Sequence, residues 1–471
     1  MKSVTTELNE IVSRQNVITD SGLLKEYLRT GLSPSNLDGS ELVAPIAAVR
    51  PVSTKHVSDI LQFATKESVP VFIYGGGTSL AGGILGNEPG IIIDMRSMNN
   101  IISVSLEDRV ARVQAGVLLP QLNSVLQAGN VFMAHDPQAF ETTTIGGAVA
   151  TNGTGYLTSK YGSMGDQVIG MEVVLPTGDI LGSSQIAQTY SPGLNVGNIF
   201  IGTEGIYGVI TEVLIRLFPE PQERRHYALE FESFQHGFLA IQRLFSEGII
   251  PAMINFSEDE DGNDEGKIVA DSLTKSVLHI TLEGLAGVVD SQEAMVWDLI
   301  SQLGAKDLGP TEAQQFWELR HRTGQVYRNE NRYKAAVDDF LKGRVSVNIN
   351  TAIPSSRVLE LRYQAINIFD IAGVHIHSCS VLGDPEMFSM LVSVDDQNSQ
   401  DASKLEEAYL AVMSIAIEMG GTIEHSYGIG LRLQEPYAEQ IGPESIKLAK
   451  KMKNAIDPSG ILNRGKVVSI N

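Results

Sequence analysis

The stretch Val71-Phe-Ile-Tyr-Gly-Gly-Gly-Thr-Ser-Leu80, followed by Ala81-Gly82-Gly83, decides how this chain folds. Its opening residues are apolar or aromatic, with β-branched Val71 and Ile73, and read as a short buried strand. The three glycines that follow permit positive φ and a close backbone approach, because no Cβ stands in the way. Successive bare N–H groups in such a turn form an anion-binding nest, and Thr78 and Ser79 add hydroxyl donors. The chemistry is that of a cradle for a nucleotide pyrophosphate. An ordinary glycine-rich turn is the competing reading, since the spacing is neither the dinucleotide fingerprint nor a Walker loop.

Outward from this turn, the first 220 residues alternate β-rich runs with helical segments. Val57, Ile60, Leu61 and Ala64 recur at helical spacing within 56–66, with Ser53 or Thr54 as the cap. Ile91–Asp94, Val110–Val113 and Met171–Leu175 read as strands, and Pro120–Leu126 as a helix. Near Pro219-Glu-Pro221 the texture changes: glycine thins out from Ala228 to about Met419, which points to a second domain. In the tail, Ser445–Ala455 reads as a basic amphipathic helix stopped by the turn Asp457-Pro-Ser-Gly460. The acidic run Ser257–Glu265 fails as a calcium loop. Counted from Asp259, the places that need glycine and glutamate hold Asp264 and Ala270, so a solvated surface loop is expected.

With 471 residues the chain has ample length for two or three domains and a large core. A formal charge of −21 argues against nucleic acid as a partner, although an anionic small substrate needs only one or two local cations. The lone Cys379 excludes an internal disulfide and any cysteine-based zinc or iron–sulfur site, and a buried structural thiol is its expected role. The N-terminus has no apolar signal-peptide core, and runs such as Gly90-Ile-Ile-Ile-Asp94 fall far short of the roughly 20 residues a spanning helix needs. A cytoplasmic protein is expected, with peripheral membrane attachment left open.

Several motifs, taken in order, resemble one flavoprotein family. Besides the turn at 75–83 they are Asp136-Pro137 with Thr143-Thr-Ile-Gly146-Gly147-Ala-Val-Ala-Thr-Asn152-Gly-Thr-Gly155, and Phe200-Ile-Gly202-Thr-Glu204-Gly205-Ile-Tyr-Gly208-Val-Ile210. The second half adds Gly248-Ile-Ile-Pro-Ala252 and Phe316-Trp317-Glu-Leu-Arg320, and the tail adds Asp457-Pro-Ser-Gly-Ile-Leu-Asn463-Arg-Gly-Lys466. This set is similar to the FAD-linked oxidoreductases of the vanillyl-alcohol oxidase superfamily, in the glycolate oxidase and D-lactate dehydrogenase branch.

The resemblance implies an α+β fold of p-cresol methylhydroxylase type. A two-lobed FAD-binding domain would occupy 1–222, with its core at about 42–222. A cap with an antiparallel sheet flanked by helices would occupy 223–425, and 426–471 would return to the FAD domain. By the same resemblance, Tyr74, Gly75, Gly76, Gly77, Thr78, Ser79 and Gly82 would hold the pyrophosphate of FAD. Pro137, Thr143, Thr144, Gly146, Gly147, Asn152 and Gly155 would line the ribityl and ring portions. Glu204, Gly205 and Ile210 would lie nearer the adenine, and Asn463 would approach the ring. Relatives often carry arginine where Tyr74 stands. Members with covalent flavin carry histidine where Thr78 stands, so non-covalent FAD is expected here.

Oxidation of an α-hydroxy acid needs a cation for the carboxylate and a base for the hydroxyl proton. Arg320 matches the family's carboxylate-binding Trp-x-x-Arg position, with Lys342 and Arg344 as weaker candidates. The base segment departs from the family pattern Gly-Gly-Thr-Ile-x-Gly-Glu-His-Gly-Ile-Gly. It reads Gly420-Gly-Thr-Ile-Glu424-His425-Ser426-Tyr427-Gly428-Ile-Gly430, which without a gap puts Ser426 for the glutamate and Tyr427 for the histidine. His425 and Tyr427 share a face if the segment is extended, and a Tyr–His pair is expected to handle the proton. A slip aligning Glu424-His425 instead would cost a two-residue insertion.

His375 and His377, two apart on an expected strand, project to one side and suit either chelation or framing of the substrate. The family's Gly-Asp-Gly-Asn segment is missing there, so either the divalent metal is lost or His375, His377 and His425 bind it as a rearranged set. The implied reaction is hydride transfer from D-lactate or glycolate to the flavin. The alternatives are a non-acid alcohol or an alkylglycerone-phosphate-like substrate on the same fold, or a flavin-binding subunit that supports a catalytic partner. The electron acceptor (quinone, cytochrome or electron-transfer flavoprotein) and a homodimer are left open.

Overall fold

The computed structural model describes residues 3–28, 43–182, 185–259, 276–322, 344–395 and 399–468. Lys342 and the acidic run from residue 260 lie outside them, and of Arg344 only its place at the start of a strand is described.

The Val71–Tyr74 run is a strand at the edge of a four-stranded sheet. Ile91–Asp94 pairs with it in parallel, Ala47–Val49 follows in parallel, and Val17–Ile18 closes the far edge antiparallel. The crossover between Ala47–Val49 and Val71–Tyr74 is the helix Thr54–Glu67. Ser53 caps it by accepting the His56 N–H at 3.2 Å, and its periodic face of Val57, Ile60, Leu61 and Ala64 is fully buried. The tail docks on the open edge of Val71–Tyr74, where the Val71 N–H donates to Ile461 O (2.9 Å) and the Asn463 N–H to Val71 O (2.8 Å).

This docking is anchored in the interior. Lys453 Nζ donates to Asp457 Oδ2 (2.5 Å) and to the carbonyls of Ile206 (2.6 Å) and Leu462 (2.8 Å), all out of contact with water. The tail helix is longer than 445–455. It spans Gln434–Ile456 with a break at Gly442, whose φ of 77° admits Pro443 as the start of a second helical stretch. Gly442-Pro443 looks like a terminator in sequence, but the helix resumes directly after it.

A second sheet of the first lobe is five-stranded and antiparallel, in the order Ile101–Ser105, Val110–Gln114, Val209–Arg216, Val168–Val174, Ile180–Leu181. The two sheets share one core, to which Ile145, Val149, Ile206 and Leu462 all contribute. The second lobe is a seven-stranded antiparallel sheet with Lys306–Asp307 at one edge, then Glu223–Phe231, Ser276–Gly284, Met253–Asp259, His375–Leu382, Met387–Asp395 and finally Arg344–Ala352. Helices Phe234–Ser246, Ala286–Ser301, Val358–Ala372 and Ser399–Glu418 bury their apolar faces against this sheet, in a core that includes Phe238, Phe256, Phe369 and Phe388. The other face of the sheet turns Asn350, Ser380 and Ser389 toward the first lobe. The cavity between the lobes therefore has a glycine-rich floor and a polar roof.

Candidate active site

A cavity of about 1140 Å3 runs along this junction. One end is walled by the N-terminal segment (Val17, Ile18, Leu23 and Tyr27) and the other by His425, Ser426 and Tyr427. Between them lie Tyr74, Gly75, Gly76, Gly77, Thr78 and Ser79, then Pro137, Thr143, Thr144, Gly146, Gly147 and Gly155, with Glu204, Gly205 and Ile210 alongside.

The glycines are required where they stand. A Cβ on Gly76 would sit 2.4 Å from Thr142 O, and one on Gly155 would sit 2.6 Å from the Asp136 carbonyl, both immovable backbone. Gly77 has a φ of +69°. The backbone N–H groups from Gly76 to Leu80 find no acceptor among the described residues, and the residues that carry them line the cavity. Volume and donors together fit the pyrophosphate and rings of FAD.

Three residues expected at the coenzyme stand elsewhere. Asn152, with φ +50°, ends the Ile145–Thr151 helix, and its Oδ1 accepts from Gly165 N (2.8 Å) and Ser163 Oγ (3.0 Å). Asn463 spends its amide on the backbone of Ile73 and Glu204, tying the tail to the strand. Gly82 lies outside the cavity, while its neighbour Gly83 lines it.

The sequence reading also missed contributors. Arg50 and Arg96 line the cavity and converge on Asp94, at 3.0 and 2.7 Å from Oδ2, and the Arg96 guanidinium lies 4.9 Å from the centre of the Tyr74 ring. Burial works to raise the Asp94 carboxyl, but the hydrogen bonds and charge of Arg96 outweigh it and hold it below the usual carboxylate range. The available signal was positional: Arg50 and Arg96 each follow a parallel strand at its C-terminal end, as the Gly75 turn does, where open sheets bind ligands.

The far end is a chamber roofed by the second lobe. Glu424 shapes its chain segment, with Oε1 accepting from three successive backbone N–H groups, those of His425 (3.0 Å), Ser426 (2.7 Å) and Tyr427 (3.1 Å). Burial raises the Glu424 carboxyl to about 7 against these bonds. The turn brings His425, Ser426 and Tyr427 to the cavity, and Tyr427 Oη donates to Gln138 Oε1 at 3.4 Å. His425 is buried and pushed down to about 4, so its imidazole is neutral. Its Nδ1 lies 2.7 Å from Ser426 Oγ and its Nε2 lies 3.3 Å from Ser389 Oγ. Thr154 Oγ1 holds the segment from the first lobe, 2.8 Å from His425 O and 2.9 Å from Ser426 Oγ.

Arg320 and the pair His375 and His377 do not line the cavity. The Arg320 guanidinium is bound to Asp136 at 2.8 Å, to Trp317 O at 2.5 Å, and stacks 3.8 Å over the Trp317 ring, while His321 takes the other Asp136 oxygen at 2.7 Å. Burial works to raise Asp136, but His321 and Arg320 together bring it below its ordinary value. Arg320 therefore clasps the two lobes together. On the His375–Leu382 strand a register shift falls between Ile376 and Ser378, so that Ser378, Ser380 and Leu382 reach the cavity. The His375 and His377 rings meet edge-on at 4.3 Å, with His377 Nε2 2.8 Å from Ser393 Oγ. Among the described residues no group of three or more His, Cys, Asp or Glu side chains is placed to hold a metal ion.

Comparison with known proteins agrees with this geometry. An FAD binding domain matches residues 45–184, and the C-terminal domain of FAD linked oxidases matches residues 220–467, more than half of the chain. The chain belongs to the FAD-linked oxidases. Within the vanillyl-alcohol oxidase superfamily it falls in the glycolate oxidase and D-lactate dehydrogenase branch, and FAD is its coenzyme. It is 27% identical to glycolate oxidase subunit GlcD of Bacillus subtilis, over 90% of this chain and 89% of that protein. It is 29% identical to D-lactate dehydrogenase of Archaeoglobus fulgidus, over 91% and 93%. Alkyldihydroxyacetonephosphate synthase of Dictyostelium discoideum is 27% identical, over 90% of this chain and 73% of that one. The structure of p-cresol methylhydroxylase with substrate bound superposes with a TM-score of 0.79 at 20% identity, over 99% and 97% of the two chains, which fixes the fold class. Among the described residues no helix is long and apolar enough to cross a membrane.

Proposed function

We propose that this FAD-linked oxidoreductase is a dehydrogenase of 2-hydroxy acids of the D-lactate or glycolate type. The observation that carries the reading is the Ser426–His425 pair at the chamber end of the coenzyme cavity, a hydroxyl 2.7 Å from a neutral imidazole nitrogen. Bound FAD supplies the hydride acceptor. The chain supplies the path for the other proton. A substrate O–H donates to Ser426 Oγ as the serine proton passes to His425 Nδ1, which burial keeps unprotonated above about pH 4. Thr154 holds the segment from the first lobe by donating to His425 O, and Tyr427, held by Gln138, walls the chamber. The relatives named for glycolate and D-lactate support the acid substrate. A quinone, cytochrome or electron-transfer flavoprotein would then reoxidise the coenzyme, in the cytoplasm.

Anaerobic addition of D-lactate or glycolate to the purified yellow protein should bleach its visible absorption. Flavin that stays oxidised with every 2-hydroxy acid tested overturns the reading. One observation favours a second substrate class. Arg320 is committed to Asp136, and the polar lining of the chamber by Gln138, Asn348, Asn350, Ser378 and Ser380 is uncharged. Bleaching by neutral alcohols or by an alkyldihydroxyacetonephosphate-like compound, and not by the acids, would establish that alternative.

A further inference from the structure

Asn350 sits in the middle of the Arg344–Ala352 strand, 7% exposed, with its side chain on the cavity wall. Its two polar atoms are treated differently. Oδ1 accepts the hydroxyl proton of Ser389 at 2.9 Å, whereas Nδ2 is buried without a hydrogen-bond partner. A buried amide N–H left unpaired costs about 1–3 kcal/mol, so its place on a cavity wall calls for an acceptor from outside the protein.

The orientation of this amide is set by a chain of bonds whose direction follows from donor arithmetic. Ser389 has one proton and gives it to Asn350, so toward His425 Nε2 it can only accept, and Nε2 carries the hydrogen. The neutral imidazole then accepts at Nδ1, where Ser426 Oγ is the donor. Thr154, 2.9 Å from Ser426, gives its own hydroxyl proton to His425 O at 2.8 Å and so stands outside this proton order. All members point the same way, toward a donor at Asn350 Nδ2. When His425 takes a proton, its Nε2–H bond strengthens, Ser389 is polarised in turn, and the Asn350 amide becomes a better donor.

We propose that Asn350 reads the acid group of the substrate: its free amide hydrogens bind a carboxylate oxygen while the adjacent hydroxyl faces Ser426. The inference rests on the 2-hydroxy-acid reading and deepens it. It assigns recognition of the acid to a neutral amide roofing the chamber, in place of the guanidinium tied up at Asp136. A neutral donor suits this place, because a buried cation without a permanent partner costs far more than an amide.

The test uses holoenzyme and four probes, D-lactate, glycolate and the corresponding neutral amides, D-lactamide and glycolamide, with flavin reduction as the readout. Asn350→Ala should raise KM for both acids roughly 10- to 100-fold, the range for losing one hydrogen bond to a charged group, and should change kcat and the amides far less. Asn350→Asp keeps the size and the bond from Ser389 but turns a carboxylate on the substrate. It should lower the acid-to-amide preference further than alanine does. Flavin content and melting temperature, measured alongside, register a merely structural role, which would lower both without moving the acid-to-amide ratio. An unchanged ratio in both variants overturns the assignment of Asn350 while leaving the dehydrogenase reading intact. Failure of the unmodified protein to be reduced by either acid overturns the reading and this inference together.

Discussion

The two ends of the cavity are built from different materials. Around Gly75–Ser79 the wall is main chain, held at a fixed distance by glycines that a methyl group would force out of place. At the chamber the wall is side chains from Thr154, Asn350, Ser389 and His425, held by hydroxyl and amide bonds. The first kind of site is rigid and unselective beyond its shape, and suits a coenzyme that stays. The second can change with one substitution, and suits the part that differs among relatives named for glycolate, D-lactate and alkyldihydroxyacetonephosphate. Damage at the coenzyme end should therefore appear as lost fold or lost flavin, and damage at the chamber as altered selectivity in a protein that remains yellow.

The largest expected effect lies under the coenzyme end. Lys453→Met leaves the fully buried Asp457 without its cation, although the carboxylate still accepts from the N–H groups of Ile461 (3.1 Å) and Leu462 (2.9 Å). Breaking a buried pair from one side costs about 3–5 kcal/mol. Chemical denaturation should show a loss of that size, because the tail no longer seals the edge of Val71–Tyr74. A loss under 1 kcal/mol would mean that the tail is held mainly by its backbone bonds.

Next comes Gly76→Ala. The added carbon meets Thr142 O at 2.4 Å, and overpacking of this kind costs about 1–3 kcal/mol. The protein should fold but purify with little FAD, read as the ratio of absorbance at 450 nm to that at 280 nm, roughly where oxidised flavin and protein absorb. Full flavin content in this variant would remove the contrast between the two ends, since the turn would then be as adaptable as the chamber.

How much of this was readable beforehand follows the same division. Glycine clusters announce close backbone approach, so the turn at 75–79 and the segment 143–155 were legible, and the strand and helix around them followed from apolar spacing. Asn152 and Asn463 have the right neighbours but face the wrong way: each sits at a left-handed backbone position, φ +50° and +41°, and uses its amide to hold the chain there. Sequence gives no account of side-chain direction at such turns. Arg320 was likewise readable as an important cation, but its partner Asp136 lies 184 residues away, a distance only the folded chain closes. The hydrogen-bonded chain in the chamber was out of reach. Asparagine and serine carry no pattern of their own, and Asn350 meets Ser389 only through the strand register that sets them opposite each other.

A smaller effect, confined to a pH window, tests how firmly the chamber segment is held. The Glu424 carboxyl titrates at about 7 in the folded protein against 4.5 for the free group, so between those values the folded state binds more protons than the unfolded one. Its contribution to stability therefore falls as pH rises through the window. His425, pushed down to about 4 from 6.5, acts in the opposite sense, its contribution growing as pH rises toward 6.5. Glu424→Gln keeps an oxygen for the three N–H groups and removes only the carboxyl titration. The difference in melting temperature, variant minus parent, should increase from pH 4.5 to pH 7 and level off above it. A flat difference curve would mean that the carboxylate is stabilised by its three bonds as well as it is by water.

The smallest expected effect is the sharpest probe of the chamber. Ser389→Ala removes one hydroxyl from the chain, and a neutral hydrogen bond is worth about 1 kcal/mol. The fold and the flavin should be retained, because the coenzyme end contributes none of its walls through Ser389. What changes is orientation: Asn350 loses the donor that fixes its Oδ1, and the amide can rotate to present oxygen in place of N–H. The expected result is a KM for D-lactate raised roughly fivefold, the factor that 1 kcal/mol represents, with the melting temperature nearly unchanged. Restoration by Ser389→Thr, which returns the hydroxyl, would separate orientation of the amide from loss of packing volume. Equal damage in the alanine and threonine variants would instead show that this part of the chamber, like the glycine turn, is governed by shape.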